Sequence, residues 1–193
     1  MSGSLLLYAL QSPINIGMLL RVAEVYQRTV LIVDEHRVFD REDARKTISD
    51  FSTGALQRQP PIFISSDDAS NTQKRGVGRL IATTSSSDAV SAWGFDWRES
   101  DCLVLGNEYD GLPISFEQKA DVLLTVPMPD GFLPKTPSFS PIDVARSKSV
   151  RNDGKPSLNV ATAGAILSFL AYCSLSVSPA SVAQPLSISR RAV

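Results

Sequence analysis

Three short segments of the sequence carry polar residues in patterns that suit a binding or catalytic site. Near the N-terminus, Asn15 opens an apolar helical pattern and is a residue type suited to capping a helix. Gly17, Arg21, Glu24 and Arg28 follow at helical spacing and form one stripe. Arg21 would lean over the missing side chain of Gly17, which would leave space for a substrate beside a guanidinium. The alternative is an exposed Arg21–Glu24 pair with no catalytic role.

The second segment is an apolar run that ends at Leu105 and continues as Gly106-Asn107-Glu108, with a further glycine at Gly111. Ligands of α/β sheets bind at such carboxyl ends of strands, where glycine permits close approach of the backbone. Glu108 is then placed to accept hydrogen bonds. An ordinary tight turn before a helix is the alternative.

The third segment, Ser157-Leu158-Asn159-Val160, opens the last helical pattern, which continues with small residues such as Gly164. A helix N-terminus offers unpaired N–H groups to a ligand, and small side chains permit close packing. Simple capping of a buried helix would give the same pattern.

Several familiar kinds of site are missing from the sequence. It has no phosphate-binding Walker loop, no GxSxG elbow, no HExxH helix and no paired CxxC. The single histidine, His36, lies between Glu35 and Arg37 and is interpreted as a surface residue. Histidine-based triads and metal chemistry are therefore not expected.

The spacing of apolar residues predicts regular alternation of strands and helices. Strands are predicted over 5–10, 30–33, 62–64, 80–83, 102–105 and 122–126, and helices over 14–26, 40–50, 88–93, 114–120 and 158–172. This alternation predicts an α/β fold, a mainly parallel sheet with helices on both faces. A chain of 193 residues suits one domain, expected over 1–173.

Two segments depart from this alternation. Residues 127–156 contain six prolines and form an irregular region, and loops of such length are often functional. The tail, 174–193, is rich in Ser, Ala and Pro, so partial disorder is expected there.

The charge of the chain excludes binding of RNA through a globally basic surface. Nineteen Lys and Arg stand against 20 Asp and Glu, which gives a net charge of −1. A local excess within 131–155 is the candidate phosphate-facing patch, although a solvated loop is the commoner explanation. Its cations are Lys135, Arg146, Lys148, Arg151 and Lys155.

The location of the protein is predicted from three features. The uncharged stretch 158–177 has the length of a membrane span, but its polar and small residues favour a helix buried between protein surfaces. No basic region precedes the short apolar run at 5–7, so a signal peptide is not expected. Cys102 and Cys173 are expected to be buried, reduced thiols of a cytoplasmic protein.

Taken together and in order, the three segments resemble the three motifs of the SpoU (TrmH-like) branch of the SPOUT superfamily of methyltransferases. Asn-x-Gly-x-x-x-Arg, Leu-Gly-Asn-Glu-x-x-Gly-Leu and Ser-Leu-Asn-Val carry the resemblance. Ser52-Thr53-Gly54-Ala55 and Val126-Pro127-Met128 are also similar to that family. The likeness spans about 5–172.

The resemblance implies a C-terminal deep trefoil knot, bound S-adenosylmethionine, and a homodimer that completes the active site across the subunit interface. The implied reaction is methylation of a ribose 2′-hydroxyl in tRNA or rRNA, without a metal. The implied catalytic residues are Asn15, Arg21, Glu108, Ser157 and Asn159. The implied cofactor residues are Thr83, Thr84, Leu105, Gly106, Asn107, Gly111, Val126, Met128, Ser157 and Leu158.

The sequence departs from the family in two respects. The connection between Met128 and Ser157 is longer than usual, so residues of about 129–156 are interpreted as an inserted loop. The first motif also starts almost at once, so an RNA-binding domain before it is not expected. Recognition of RNA is therefore expected from the dimer surface, the inserted loop or an accessory protein.

Two other functions stay open. The acidic pI, about 5.8, fits methylation of a small nucleoside or another metabolite. The enlarged loop fits a catalytically idle protein that binds RNA or cofactor.

Overall fold

A seven-stranded parallel sheet runs through the part of the chain that the computed structural model describes, which is residues 3–70, 78–86, 88–128 and 158–176. The strands are β1 (Ser4–Tyr8), β2 (Thr29–Val33), β3 (Ile62–Phe63), β4 (Leu80–Thr83), β5 (Val90–Ser91), β6 (Cys102–Leu105) and β7 (Val122–Thr125). Their order in the sheet is β3-β2-β1-β6-β4-β7-β5. Every neighbouring pair is parallel, as predicted.

Helices cover both faces of the sheet, which confirms the predicted fold class. They are α1 (Pro13–Val25), α2 (Glu42–Ser52), α3 (Ala55–Arg58), α4 (Ser66–Ala69), α5 (Ile114–Glu117) and α6 (Val160–Ser176), with a 3-10 turn at Val38–Asp40. Alternate strand residues separate into two cores because successive side chains of a strand point to opposite faces. Leu5 and Leu7 belong to the core beneath α1, α2 and α6. Leu6 and Tyr8 belong to the core beneath α4 and α5.

The central strands β1 and β6 are almost completely enclosed. Leu5, Leu7 and Leu103 have no exposed surface, and neither has Cys102. Burial raises the pKa of the Cys102 thiol to about 12, so this cysteine stays protonated at neutral pH. Both cysteines are free thiols, but Cys173 is only partly buried, so the expectation of burial is met by Cys102 alone.

Helix α1 begins one turn earlier than the predicted cap. Ser12 is the N-cap residue, because its hydroxyl accepts a hydrogen bond from the backbone N–H of Asn15 at 3.3 Å and Pro13 occupies the first turn. The prediction that Asn15 caps the helix is therefore wrong. Its side chain lies in the first turn and is left available for contacts elsewhere.

Three of the four residues of the predicted polar stripe on α1 have packed or bonded neighbours and do not form one open polar face. A Cβ atom at Gly17 would lie 2.8 Å from the Ile48 carbonyl oxygen of α2, so packing fills the space expected for a substrate. Glu24 pairs with Arg58, with an Nε–Oε1 distance of 2.5 Å. Arg28 lies beyond the end of α1 and is 4% exposed, with its guanidinium bonded to the Ser4 carbonyl.

The segment 88–93 differs from the predicted helix. Its centre is β5, an edge strand that pairs with β7. The backbone N–H of Ala92 extends this pairing by donating to the Thr125 carbonyl at 2.8 Å. Pairing with the edge of the sheet therefore determines the structure of this segment more than the helical spacing of its few apolar residues.

Helix α6 packs one face against α1 and the sheet. Gly164 lies so close to Leu19 and Leu105 that an added Cβ atom would be 2.4 Å and 2.7 Å from their methyl groups. The opposite face carries Phe169 and Tyr172, both about half exposed. Within the described residues, no helix has the length and apolar character required to cross a membrane.

Several sequence predictions fall outside the described residues. The path of 129–157 determines whether the chain is knotted, so the knot and the inserted loop remain predictions. The same holds for the disorder of the tail beyond 176, for Ser157 and for the basic patch. The cations of that patch are Lys135, Arg146, Lys148, Arg151 and Lys155.

The contact between α1 and α2 can be tested at Gly17. Gly17→Ala should lower the free energy of unfolding by about 1–3 kcal/mol, because the new methyl group meets the fixed backbone of α2. Lys46→Ala on α2 is the control, since Lys46 is exposed and its replacement adds no group to the contact between the helices. Urea unfolding of both variants would measure the difference, and an equal or smaller cost at Gly17 would contradict the prediction.

Candidate active site

A cavity of about 1250 Å³ lies at the carboxyl ends of the strands, between the sheet and helices α1, α2 and α6. Residues that follow β1, β2, β4, β6 and β7 line it. The position agrees with the rule that ligands of parallel sheets bind beyond the carboxyl ends of the strands. The volume exceeds the roughly 300–1,000 Å³ typical of a pocket for a single small ligand.

The Glu108 carboxylate holds the start of α1 against the loop after β6. Its Oε2 atom accepts a hydrogen bond from the backbone N–H of Gln11 at 2.9 Å. Its Oε1 atom accepts one from the backbone N–H of Ser12 at 3.0 Å and one from the Asn15 side-chain amide, also at 3.0 Å. Three donors converge on one negative charge, which makes these bonds stronger than neutral ones.

A second link joins this cluster to α6. The Asn159 side-chain amide donates a hydrogen bond to the side-chain Oδ1 atom of Asn15 at 3.1 Å. The Asn159 Oδ1 atom in turn accepts from the backbone N–H groups of Ala161 and Thr162, so Asn159 caps α6. Glu108, Asn15 and Asn159 therefore form one hydrogen-bonded chain across three elements that are distant in sequence.

The loop 106–111 is tied into a compact turn. Asn107 donates to the Ala9 carbonyl at 2.6 Å, and its Oδ1 atom accepts from the backbone N–H of Tyr109 at 2.8 Å. Gly111 has a φ of +71°, which favours glycine. A Cβ atom at Gly106 would lie 2.5 Å from the Gly111 carbonyl carbon, so no side chain fits there. The turn is tight, and it also presents Glu108 to α1.

The part of the cavity near β4, β6 and β7 is mainly apolar. Its lining includes Leu105, Leu124, Val126, Met128 and Leu158. The hydroxyl of Thr83, which also lines this part, already donates to the Val104 carbonyl at 2.9 Å. Apolar walls with backbone groups at strand ends suit a flat heteroaromatic ring and an aliphatic chain.

The structure brings most of the predicted site residues into this cavity. Among the predicted catalytic residues, Asn15, Glu108 and Asn159 line it. The predicted cofactor residues that line it are Thr83, Thr84, Leu105, Gly106, Asn107, Gly111, Val126, Met128 and Leu158.

Arg21 does not join the other predicted catalytic residues within one subunit. Its side chain is exposed and has no bonded partner among the described residues. Met18, three residues earlier on the same face of α1, lines the cavity. Arg21 therefore lies one turn beyond the cavity margin.

Several lining residues were missed from the sequence. Gln11 and Ser12 follow β1, and His36 and Arg41 follow β2. Ligands bind at the carboxyl ends of parallel strands, and this rule applies to β1 and β2 as well as to β6. The sequence did not show that these three strands are neighbours in the sheet, so the residues after β1 and β2 were not predicted. His36 is exposed, as predicted, and it also lines the cavity.

Comparison with known families gives one match that covers most of the chain. The model of the SpoU rRNA Methylase family matches residues 3–133. A relative in Staphylococcus aureus, assigned to the TrmH family of tRNA/rRNA methyltransferases, is 25% identical over 128 residues. That match covers 66% of this chain and 50% of the relative, so the chain spans about half the length of the curated relatives it matches.

Solved structures share the fold. The AdoMet-bound rRNA methyltransferase of Sinorhizobium meliloti superposes with a TM-score of 0.68 at 20% identity, covering 92% of this chain and 57% of that one. A structure described for 2-OH methylation of C/U34 on tRNA has a TM-score of 0.66 at 22% identity, covering 89% of this chain and 95% of that one.

The role of the Glu108 charge can be tested by Glu108→Gln. A glutamine side chain has an NH₂ group in place of one carboxylate oxygen. At least one partly buried N–H therefore loses its acceptor, at a cost of about 1–3 kcal/mol in unfolding free energy. Glu42→Gln is the control, since Glu42 is exposed. Chemical denaturation of both would decide the point; equal stability losses would contradict a specific role for Glu108.

Proposed function

Because the chain belongs to the SpoU rRNA methylase family, we propose that it transfers a methyl group from S-adenosylmethionine to a ribose 2′-hydroxyl of tRNA or rRNA. The observation that carries the proposal is the hydrogen-bonded chain of Glu108, Asn15 and Asn159 beside an apolar cavity at the carboxyl edge of the sheet. Positioning of two reactants in such a site can contribute roughly 7–11 kcal/mol to catalysis.

The residues of the cavity fit the methyl donor. Leu105, Val126, Met128 and Leu158 offer apolar surface for an adenine ring and a methionine chain. S-adenosylmethionine supplies an electrophilic methyl group when bound. No metal is proposed, and no group of His, Cys, Asp and Glu able to hold one occurs among the described residues.

The polar chain is proposed to position the ribose. Glu108 already accepts three hydrogen bonds, and a carboxylate has about four acceptor positions. One position on Oε2 therefore remains for a substrate hydroxyl. The Asn15 and Asn159 amides are fixed by each other, so the edge that they present to the cavity is rigid.

Arg21 is proposed to act across a homodimer interface. Val25, four residues later, is 66% exposed, and Phe169 and Tyr172 of the adjoining α6 are also exposed. These apolar side chains support a subunit contact beside Arg21, which would carry the guanidinium to the partner's cavity. A guanidinium stays protonated, so its proposed role is to stabilise developing alkoxide charge and to orient the adjacent phosphate. A cytoplasmic location follows from the proposed RNA substrates and is part of the proposal.

Methyl transfer from labelled S-adenosylmethionine tests the proposed reaction. Separate tRNA and rRNA fractions and a panel of free nucleosides serve as acceptors, and tRNA comes first because one similar structure concerns tRNA. We expect label in one RNA fraction, at a position that resists alkaline hydrolysis. Label only in nucleosides would favour the metabolite alternative. RNA binding without transfer would favour an idle protein and overturn the proposal.

Arg21→Lys tests the role of the guanidinium. We expect loss of most methyl transfer, because an ammonium cannot make the paired contacts of a guanidinium to phosphate and oxyanion. The Kd for S-adenosylmethionine, measured by calorimetry, should stay unchanged because Arg21 is proposed to contact the RNA and not the cofactor. Equal activity of the variant would refute the role.

Hybrid dimers distinguish action across the interface from action within one subunit. Arg21→Lys and Glu108→Gln subunits, each expected to be inactive alone, can be co-expressed with different tags and purified as hybrids. If Arg21 acts in the partner's site, one site of the hybrid is intact and partial activity returns. An inactive hybrid would place Arg21 in its own subunit's site.

A further inference from the structure

The cavity is wider than the proposed cofactor site. It reaches from the end of β2 to the end of β7, which are five neighbouring strands in the order β2-β1-β6-β4-β7. At a spacing of about 4.8 Å between strands, this width is about 19 Å. The proposed cofactor residues follow β4, β6 and β7. A ligand held by them leaves the β2 end of the cavity open.

This open end, here the β2-side lobe, is lined by Gln11, His36, Arg41, Asp43 and Thr47. Arg41 is exposed and, within the described part of the chain, its side chain makes no hydrogen bond or ion pair. It directly precedes α2, whose N-terminus receives no side-chain cap. The lobe therefore holds an unpaired guanidinium at the start of a helix whose partial positive charge is offset by Glu42 and Asp43 of the first turn.

Gln11 adds an unsatisfied polar group to the same lobe. Its Oε1 atom is buried and has no hydrogen-bond partner among the described residues. Its backbone N–H is bonded to Glu108, which fixes the residue beside the proposed ribose position. This oxygen is closed to solvent, so it meets a donor of a ligand only when the Gln11 amide turns toward the lobe, which also removes the cost of its unpaired burial.

We propose that the β2-side lobe binds the nucleotide next to the methylated ribose, with Arg41 and His36 on its phosphate and Gln11 on a hydroxyl or amino group. This inference rests on the proposed RNA methyltransferase function. Asp43 repels the phosphate and so confines it to the Arg41 side of the lobe. Substrate recognition then begins within one subunit, without the basic patch predicted in 131–155.

Arg41→Gln tests the phosphate contact by binding as well as by activity. The probe is a fluorescein-labelled ribo-octamer of mixed sequence, added with S-adenosylhomocysteine so that no transfer occurs. We expect about tenfold weaker binding, since loss of one charge-assisted contact has that effect. The plot of log affinity against log salt should also become shallower by about 0.7, the value for one phosphate on a single strand.

Arg37→Gln is the matched control. Arg37 is four residues away and 83% exposed, but it pairs with Asp40 and does not line the cavity. It should leave the affinity for the octamer and its salt slope unchanged. Unchanged affinity in Arg41→Gln, equal losses in both variants, or no binding of the octamer by the natural protein would overturn the proposal.

The activity measurements separate this proposal from the function on which it rests. With the RNA fraction that accepts label, Arg41→Gln should raise the KM for RNA about tenfold, by loss of the same contact, and leave the KM for S-adenosylmethionine unchanged. If the natural protein transfers no label but Arg41 still determines octamer affinity and its salt slope, the lobe is an RNA site and the methyltransferase proposal fails. If label is transferred with an unchanged KM for RNA in Arg41→Gln, the lobe proposal fails alone.

Discussion

The Glu108 carboxylate holds the loop after β6 against the start of α1. It receives two backbone N–H groups from the turn before α1 and the side-chain amide of Asn15. Asn15 in turn accepts a hydrogen bond from the side-chain amide of Asn159 at the start of α6. A partly buried acceptor with three donors tolerates little displacement, because a shift leaves a polar group unpaired. The edge of the cavity is therefore defined by hydrogen bonds of fixed geometry, and the apolar walls define only its width.

The two ends of the cavity differ in chemical character, and that difference follows from the strand order. Strand β6 ends at Leu105 and β7 leads to Val126, whereas β2 leads to His36 and Arg41. The sheet places β1 between β2 and β6, so Glu108, which follows β6 and is bonded to the turn after β1, lies where the two environments meet. A site of this kind suits a ligand with a heteroaromatic ring at one end and a charged polymer at the other.

Most of the fold could be predicted from the sequence, because β1, β2, β4 and β6 are enclosed and their apolar runs are unambiguous. The prediction failed for β5, where an edge strand of two residues leaves almost no pattern. The helical periodicity of α1 showed which face Gly17 lies on. It did not show that α2 packs against that face and fills the space. The site motifs identified Glu108 and Asn159, whereas Arg41 follows a strand whose neighbours only the three-dimensional order reveals.

The same strand order affects how the chain reaches its native state. Strand β1 can pair with β2 early, but its other neighbour, β6, is about a hundred residues away in sequence, and the Asn159–Asn15 hydrogen bond spans 144 residues. Contacts between such distant residues form slowly, because the intervening chain must first close a large loop. During synthesis, the first motif leaves the ribosome long before its partners exist. The hydrogen-bonded chain along the edge of the cavity therefore forms only after Asn159 has been synthesised.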